Sequence, residues 1–588
     1  MISLASRCSP VGFCLPRDLG HRLHFLPRPA YPHEQRYQIL DNVTYYRGAH
    51  TLKVGTDINY IREQLINLFQ GGGVYSYTNL TNIATDCPQG AAGCVPVPGA
   101  GRTYSQYNQA FDLNNLGGAL FFPEWTYAFF AQDTWKISDR MLLNLGLRYD
   151  YQQLPQPGSV ETNGVKFVGN PAVPETTHFN QDKKDWAPRL GFTYDIGARH
   201  ETVLRAAYGI FYGLTTNSAV ANALTNNGVN QATYFFTPST AGAPIYPNVL
   251  SAPPAGAVGS RPDINYFSSD LVRPRVHSVD LAIERNIGHS TTLSASYLYS
   301  KGLDLPFFRD INFNPANSTV NYVLDGQTVG SAPLYRGTRP NASFNRIIVM
   351  EPAVSTRYNA MVLTANKRFS DGLLFNVNYT LSESVDNGQT SATFFGGNLP
   401  FDTLTYRTNP IDSPLVTSNN DRRNRFVGSF HYQPDYLWGV GIGGVLTLES
   451  GLPITQKING SLPASIGSVN STSTNGTGGF FVAPWVGINT DRQPGRRTLD
   501  LRVSKNFVVA GSRRIQVLWE VFNVTNRVNY ATFFDSAFDV NSAATSYDAA
   551  SNVATVNLTR NASYLVGRSA SSNFWGPRDM QLGLKFIW

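Results

Sequence analysis

The sequence repeats one unit seven times, in which two alternating stretches are joined by a short turn and then followed by a long connection. In the stretch from 143 to 151, Leu143, Leu145 and Leu147 alternate with Asn144, Gly146 and Arg148. Such alternation is typical of a strand with one apolar and one polar face. The seven short turns lie around Gly48, Ser138, Gly197, Gly288, Asp371, Asp435 and Gly511. The long connections fall at about 63–123, 152–185, 214–275, 302–356, 386–422, 451–496 and 527–577.

Short turns on one side and long connections on the other predict an all-β, antiparallel transmembrane barrel of the outer-membrane type, with periplasmic turns and extracellular loops. A sandwich has no reason to sort its connections in this way, and no four-stranded propeller blade recurs. No apolar run approaches the length of a membrane-spanning helix, so any crossing must be made by strands. Aromatic residues make up 12% of the chain, and aromatic girdles would account for them.

The last nine residues form a strand of strict alternation that ends on an aromatic residue. Its apolar positions resemble the sorting signal of bacterial outer-membrane barrels, and we predict that they close the barrel and act as its assembly signal. The alternative is an ordinary terminal strand of a soluble sheet. The residues concerned are Met580, Leu582, Leu584, Phe586 and Trp588.

Seven hairpins and the terminal strand give about fifteen strands, whereas single-chain bacterial barrels have even numbers. Residues 1–34 contain prolines, alternate poorly and lack the apolar core of a signal peptide. We therefore predict an irregular segment over 1–34 without a signal peptide, and the C-terminal part of a barrel over 35–588.

Five stretches carry a resemblance to a known family. WTYAFFAQDTWKISDRMLLNLGLRYDY at 125–151 resembles the barrel of TonB-dependent receptors. The other four, WAPRLGFTYDI from 186, NDRRNRFVGSFHYQP from 420, RRTLDLRVSKNF from 496 and VLWEVFNVTNRVNY from 517, resemble its Oar-like branch. Members of that branch usually carry a carboxypeptidase-regulatory-like domain before the plug.

The resemblance implies about 22 strands around a plugged lumen, and uptake of a scarce nutrient when TonB pulls on the plug. An oligosaccharide, a peptide or a metal chelate would suit such uptake. The chain shows neither a plug domain nor a TonB-contacting segment, so it is expected to be N-terminally truncated. TonB would then be reached only through a plug missing from this chain. Outer-membrane lipid, the barrel-assembly machinery and an unknown small ligand are the other expected partners.

Catalytic and cofactor motifs are absent from the sequence, which has no HExxH, no GxSxG and no P-loop. We therefore predict no enzyme activity, no cofactor and no metal site. The formal charge of +7 is scattered without a basic cluster, which gives no indication of nucleic-acid binding. Cys87 and Cys94 enclose a small-residue loop and are candidates for a disulfide, with free thiols as the alternative.

Charged residues at polar strand positions are candidates for an ion-paired lining of the lumen. The alternative is that they are simply the wet face of a barrel. The set comprises Arg148, Asp150, Arg189, Asp195, Arg205, Asp500, Arg502 and Glu520. Loop aromatics are candidates for ligand contact, namely Tyr234, Phe235, Phe236, Phe394 and Phe395.

Three other functional interpretations also fit this sequence. A plugless outer-membrane pore or surface adhesin would keep the barrel but lose energised transport, and would need an even strand count. A non-functional gene fragment would also fit the missing plug. A soluble secreted β-protein would need strands whose apolar residues face an interior.

Overall fold

The computed structural model describes residues 2–5, 31–66, 68, 71–86, 101–114, 119–197, 201–254, 261–312, 314–388, 415–469, 474, 476, 482–511, 513–570 and 576–588. Seventeen strands form one large sheet that curls into a barrel wall. Two of them are short, Ile264–Phe267 and Val416–Thr417. The fifteen long strands confirm the predicted all-β fold: β1 (Tyr31–Arg47), β2 (His50–Ile66), β3 (Ala119–Ser138), β4 (Met141–Gln153), β5 (Asp185–Ile196), β6 (Thr202–Tyr212), β7 (Arg275–Gly288), β8 (Thr291–Asp310), β9 (Ile347–Ser370), β10 (Leu373–Asp386), β11 (Asn424–Tyr432), β12 (Val440–Glu449), β13 (Arg496–Ala510), β14 (Arg513–Phe522) and β15 (Asp579–Ile587).

The fifteen strands form an antiparallel meander in which each pairs with the next along the chain. All seven short connections are present where the sequence predicts them, and they alternate with seven long ones. Asp371 and Gly372 both have positive φ, 53° and 74°, which a tight two-residue hairpin turn requires. We call the two ends of the barrel the turn side and the long-loop side.

Several strands extend further toward the long-loop side than the alternation indicates. β1 begins at Tyr31 rather than near Leu40, and β9 covers 24 residues. A membrane crossing needs only about 9–11 residues, so the extra length lies beyond the bilayer. There both faces of a strand can be covered by protein, as at Ile347 to Met350, which are all buried. Alternation is lost where both faces are buried, and the sequence therefore gives no signal for the extension of β9.

The two faces of the sheet differ in polarity. The register of β3, β4 and β5 places Leu145, Leu147 and Leu190 on one face and Gly146, Arg148 and Arg189 on the other. The large apolar side chains of the first face remain exposed, which is the arrangement that lipid stabilises and water does not. We call these the apolar face and the polar face.

Aromatic residues form two rows on the apolar face. The row toward the long-loop side crosses β1 to β5, with ring centroids 6.2 Å apart for Tyr37 and Tyr60 and 4.6 Å for Tyr60 and Trp125. It continues through Tyr127, Tyr151, Tyr149 and Trp186. The second row, toward the turn side, includes Tyr45, Trp135 and Tyr194. Eight to ten residues separate the rows along β1, β3 and β5, which for tilted strands is about 20–25 Å, the height of an outer-membrane apolar band.

The long connections fold into structure of their own rather than remaining extended surface loops. A four-stranded sheet contains Ile2–Ala5, Val74–Tyr77, Gln106–Asp112 and Gln231–Phe236. A six-stranded sheet contains Ser318–Leu324, Gln327–Leu334, Lys457–Asn459, Ser536–Val540, Ser546–Asp548 and Val553–Arg560. Three small pairs are Glu161–Thr162 with Val165–Lys166, Pro453–Ile454 with Asp491–Arg492, and Tyr530–Phe533 with Gly567–Ala570. The apolar cores of the molecule lie mainly in these connections and at the strand ends beneath them.

Two helices complete the fold, α1 (Leu80–Thr85) and α2 (Asn217–Thr225). Within the part of the chain that the structure describes, neither is long and apolar enough to cross a membrane. α2 packs in the largest buried cluster, beside the long-loop ends of β3 and β8.

The first and last strands of the meander each have one hydrogen-bonded neighbour among the described residues, β2 for β1 and β14 for β15. Both strands run from the long-loop side to the turn side, so they are parallel to each other. Side chains on both are largely exposed, with Tyr46 at 75% and Leu582 at 79%. The described part of the barrel wall therefore ends in two edges.

Candidate functional site on the polar face of the barrel

All eight residues predicted to line the lumen lie on the polar face. Arg189 lies opposite Gly146, which shares the polar face of β4 with Arg148. Arg502 lies opposite Glu520 on the neighbouring strand. The remaining members follow the same alternation along β4, β5, β6 and β13. That this face lines the lumen stays a prediction, because the edges of the wall do not meet.

Some of these residues pair with one another. Arg148 Nε donates to Asp150 Oδ1 at 2.9 Å, and its guanidinium also lies 3.9 Å from Asp57, which was not predicted. Arg502 and Glu520 form a second pair at 2.5 Å. The partners in each pair are neighbours on the polar face, on the same strand or on adjacent strands. They are therefore close enough for their long side chains to meet.

The other four predicted residues find different partners. Arg205 pairs with Glu284 at 3.2 Å, and the Arg189 guanidinium lies 4.7 Å from the centre of the Phe211 ring. Asp500 accepts a hydrogen bond from the backbone N–H of Asn523 at 2.7 Å. Asp195 lies at the turn-side end of β5, apart from the other acidic members.

The apolar residues of the terminal strand share one face, as predicted. Leu582 lies opposite Trp519 and Leu584 opposite Val517 of β14. Arg513 places its guanidinium 6.0 Å from the centre of the Trp588 ring. All five members, Met580, Leu582, Leu584, Phe586 and Trp588, are exposed on the apolar face. Their role as an assembly signal stays a prediction.

A buried polar network at the long-loop end of the polar face was missed by the sequence analysis. Glu124 is 1% exposed, and its Oε1 accepts a hydrogen bond from Gln152 Nε2 at 2.9 Å. Gln152 in turn donates to the Thr215 carbonyl and accepts from the Thr215 N–H, both at 2.9 Å. Nearby, Asn217 of α2 donates to Glu63 at 3.1 Å. The network therefore holds the start of α2 against the barrel wall.

Burial raises the pKa of Glu124 to about 7, against the opposing hydrogen bond from Gln152. Glu63 and Glu34 raise this pKa further, whereas Arg273 lowers it. Glu124 lies fourteen residues from the end of β3 at Ser138, beyond the roughly eleven needed to cross the membrane. Its Oε2 has no hydrogen-bond partner among the described residues. The alternation of β2 and β3, continued past the predicted strand ends, would have placed Glu63 and Glu124 on the polar face.

Buried ion pairs fasten other long connections to strand ends. Arg273 and Asp185 pair at 2.8 Å with side chains 7% and 1% exposed. Arg339 and Asp310 pair at 2.7 Å, also buried. In each case one partner lies at or next to the long-loop end of a barrel strand. Sequence alone gave no indication of these pairs, because their members are 88 and 29 residues apart.

Some predicted residues lie outside the described part of the chain, and one predicted ligand contact is a core residue instead. Cys87, Cys94, Phe394 and Phe395 lie outside the described residues. Phe236 is buried and packs 6.0 Å from Tyr107, in the core beneath the four-stranded sheet. Among the residues described, no group of three or more His, Cys, Asp or Glu side chains is placed to hold a metal ion.

Comparisons with known proteins agree with this architecture. The family model described as an outer membrane beta barrel domain matches residues 26–569. The chain is 22% identical over 533 residues to the TonB-dependent transporter Oar of Myxococcus xanthus, covering 84% of this chain and 43% of that protein. Similar solved structures include the outer membrane transporter YddB from Escherichia coli, at 12% identity and a TM-score of 0.45, covering 86% of this chain and 52% of that one. Another is the outer-membrane ferripyoverdine receptor of Pseudomonas aeruginosa, at 11% identity and a TM-score of 0.44, covering 89% and 46%.

The chain therefore spans about half the length of the relatives that it matches. The resemblance to TonB-dependent receptors and the outer-membrane location are confirmed, and neither the family match nor the similarity to Oar supports the soluble secreted β-protein. This chain belongs to the outer membrane beta barrel domain family.

Proposed function

We propose that this chain forms the C-terminal part of the barrel of a TonB-dependent transporter that takes up a nutrient across the outer membrane. In this proposal the polar face lines the lumen and the long connections face the exterior. The observation that supports it best is the ion-paired polar face opposite an apolar face bearing two aromatic rows. The similarity to the transporter Oar supports the same function.

The proposal requires further strands between β15 and β1. Unpaired edges beside lipid leave backbone N–H and C=O groups without partners, at a cost of several kcal/mol for each. Because β1 and β15 are parallel, direct pairing between them would depart from the antiparallel rule of bacterial barrels. An odd number of added strands makes every pair antiparallel, and about seven would give the 22 that the family resemblance implies.

The test compares two proteins refolded in detergent, the 588-residue chain and a longer protein extended upstream in its gene. We expect the longer protein to resist trypsin and to migrate as a heat-modifiable monomer, whereas the shorter one should do neither. A trypsin-resistant 588-residue monomer with steady single-channel conductance would overturn the proposal and favour the plugless pore.

Energised transport is tested separately. TonB is expected to contact a plug domain rather than the barrel wall. Immobilised C-terminal domain of TonB should therefore retain the longer protein and release the 588-residue chain. Equal retention of both proteins would show that TonB binds the wall, and retention of neither would count against a TonB-dependent transporter.

A further inference from the structure

A cleft opens on the long-loop side above β11 to β14, away from the polar network at Glu124. Described residues of three long connections line it, at 419, at 453–457, 482 and 488–493, and at 531–535. Its volume is about 330 Å³, which falls within the usual range for small-molecule sites.

Asn489 fixes the shape of the cleft. It is buried and adopts φ of 57°, a conformation that asparagine tolerates better than most residues. Its Nδ2 donates to the Thr417 carbonyl at 2.7 Å and to Asn419 at 2.8 Å. Its Oδ1 accepts from Thr455 Oγ1 at 3.0 Å. These bonds join two connections, so the site is formed before any ligand arrives.

The charges that line the cleft neutralise each other. Lys457 Nζ lies 2.5 Å from Asp535 Oδ2, and the Lys457 backbone N–H donates to the Asp535 carbonyl at 2.9 Å. A charged ligand would have to break this pair or bind without a counter-ion. The lining therefore favours an uncharged ligand.

Gln493 carries side-chain hydrogen-bonding groups that no residue in the described part of the chain uses. Its backbone N–H donates to the Leu452 carbonyl at 2.9 Å, which fixes the residue in place. Gln493 is one of the residues that line the cleft, and its side-chain amide makes no hydrogen bond to any described residue. An amide offers two donors and one acceptor, which match the neighbouring hydroxyl groups of a sugar.

Phe533 is the aromatic residue of the lining, which also contains the apolar residues Ile454, Val482 and Ile488. Its ring is set by an edge contact with Tyr530 at 5.6 Å. The C–H face of a sugar ring carries slight positive charge and packs well on the negative face of an aromatic ring. Amide groups, hydroxyls and one aromatic wall, without net charge, are the recognition chemistry of a neutral polyhydroxyl compound.

We propose that this cleft binds a small, uncharged, hydroxyl-rich ligand between Gln493 and Phe533. The proposal rests on the proposed function, since it names the ligand class that the outward-facing connections take. It assigns the cleft to initial capture of that ligand, and the polar face below to its passage.

The experiment uses the full-length protein that carries this chain, purified in detergent, and isothermal titration calorimetry. The neutral probes are glucose, galactose, N-acetylglucosamine, maltose and cellobiose. The charged probes are citrate and the zwitterionic dipeptide glycyl-leucine. We expect at least one sugar to bind at millimolar or lower concentration, and neither charged probe to bind.

Three variants test whether the sugar binds in this cleft. Gln493→Ala should weaken sugar binding about tenfold, the loss of one to two hydrogen bonds, without changing thermal unfolding. Phe533→Ala should weaken it by a similar factor. Gln327→Ala, which changes an exposed glutamine of the six-stranded sheet outside the cleft, is the matched control and should have no effect.

The other possible results of the experiment each count against one of the two proposals. Failure of all five sugars to bind, sugar binding unchanged by Gln493→Ala, or Gln493-dependent binding of a charged probe would overturn the proposal. The proposed function fails separately, when sugar binds but the protein shows no interaction with TonB. Uptake of another solute without sugar binding would refute the cleft assignment and leave transport standing.

Discussion

Replacing Glu124 by glutamine should stabilise the protein at neutral and alkaline pH. The carboxyl group is 1% exposed, and its Oε2 has no hydrogen-bond partner among the described residues. Burial is the largest cause of its raised pKa, with Glu63 and Glu34 adding to it. Glutamine keeps the shape of the side chain and the acceptor that Gln152 uses, but it never ionises.

The sign of the effect follows from the direction of the shift. The folded protein holds Glu124 with a pKa of about 7, against an ordinary value of 4.5. Below pH 4.5 the carboxyl group is neutral in both the folded and the unfolded state, so it has no effect on the free energy of unfolding. Between pH 4.5 and about 7 only the unfolded state ionises, and stability falls by about 1.4 kcal/mol per pH unit. Above pH 7 the full loss, about 3 kcal/mol, persists.

The measurement is urea unfolding of the full-length protein in detergent micelles at pH 5 and pH 8. Glu124→Gln should differ from the unmodified protein by less than about 1 kcal/mol at pH 5, and should be more stable by about 3 kcal/mol at pH 8. Glu161→Gln, at an exposed glutamate of a small loop hairpin, is the control and should show no such pH dependence. A difference that is the same at both pH values, or a loss of stability at pH 8, would refute this account of the buried carboxyl group.

Three further predictions concern the barrel wall. Deleting Phe586 to Trp588 should block assembly, because the closing strand loses its anchoring aromatics, and normal heat-modifiable migration on a gel would contradict this. Arg273→Met should cost about 3–5 kcal/mol in the free energy of unfolding by leaving Asp185 buried without its partner, and Arg273→Met with Asp185→Leu should recover most of it. Leu145→Arg, on the apolar face, should cost about 2–4 kcal/mol in lipid, whereas Asn144→Arg on the polar face should cost far less, and equal costs would show that the faces are misassigned.

The barrel wall could be predicted because its signals are local. In β4 alternate residues lie on the apolar and the polar face. The alternation of Leu145 and Leu147 with Gly146 and Arg148 in the sequence therefore shows directly which face each residue occupies. Short turns keep partner strands adjacent in the sequence, which fixes the pairing order. The same parity placed Arg148 and Asp150 in the candidate lining, and the structure pairs these two residues with each other.

The folded long connections could not be predicted because their partners are remote. Ser318–Leu324 pairs with Val553–Arg560, more than 200 residues further along the chain. Both strands bury alternate residues, but they are short and no tight turn joins them. The sequence therefore does not show which segment each one pairs with. Phe236 illustrates the consequence, since a ring that looks like a loop aromatic in the sequence is a core residue in the fold.

The same contrast explains why Glu124 was missed while Glu520 was identified. The partners of Glu520, Arg502 and Gln581, lie on the two neighbouring strands and follow from pairing order alone. Glu124 continues the polar face of β3, but its burial depends on Gln152 and on Thr215, which lies 91 residues away in the connection after β6. The pKa of Glu124 is therefore raised because that connection covers the residue at the end of the barrel wall. Residues whose surroundings are built by distant connections are the ones for which a structure adds most, and in this chain they lie on the long-loop side.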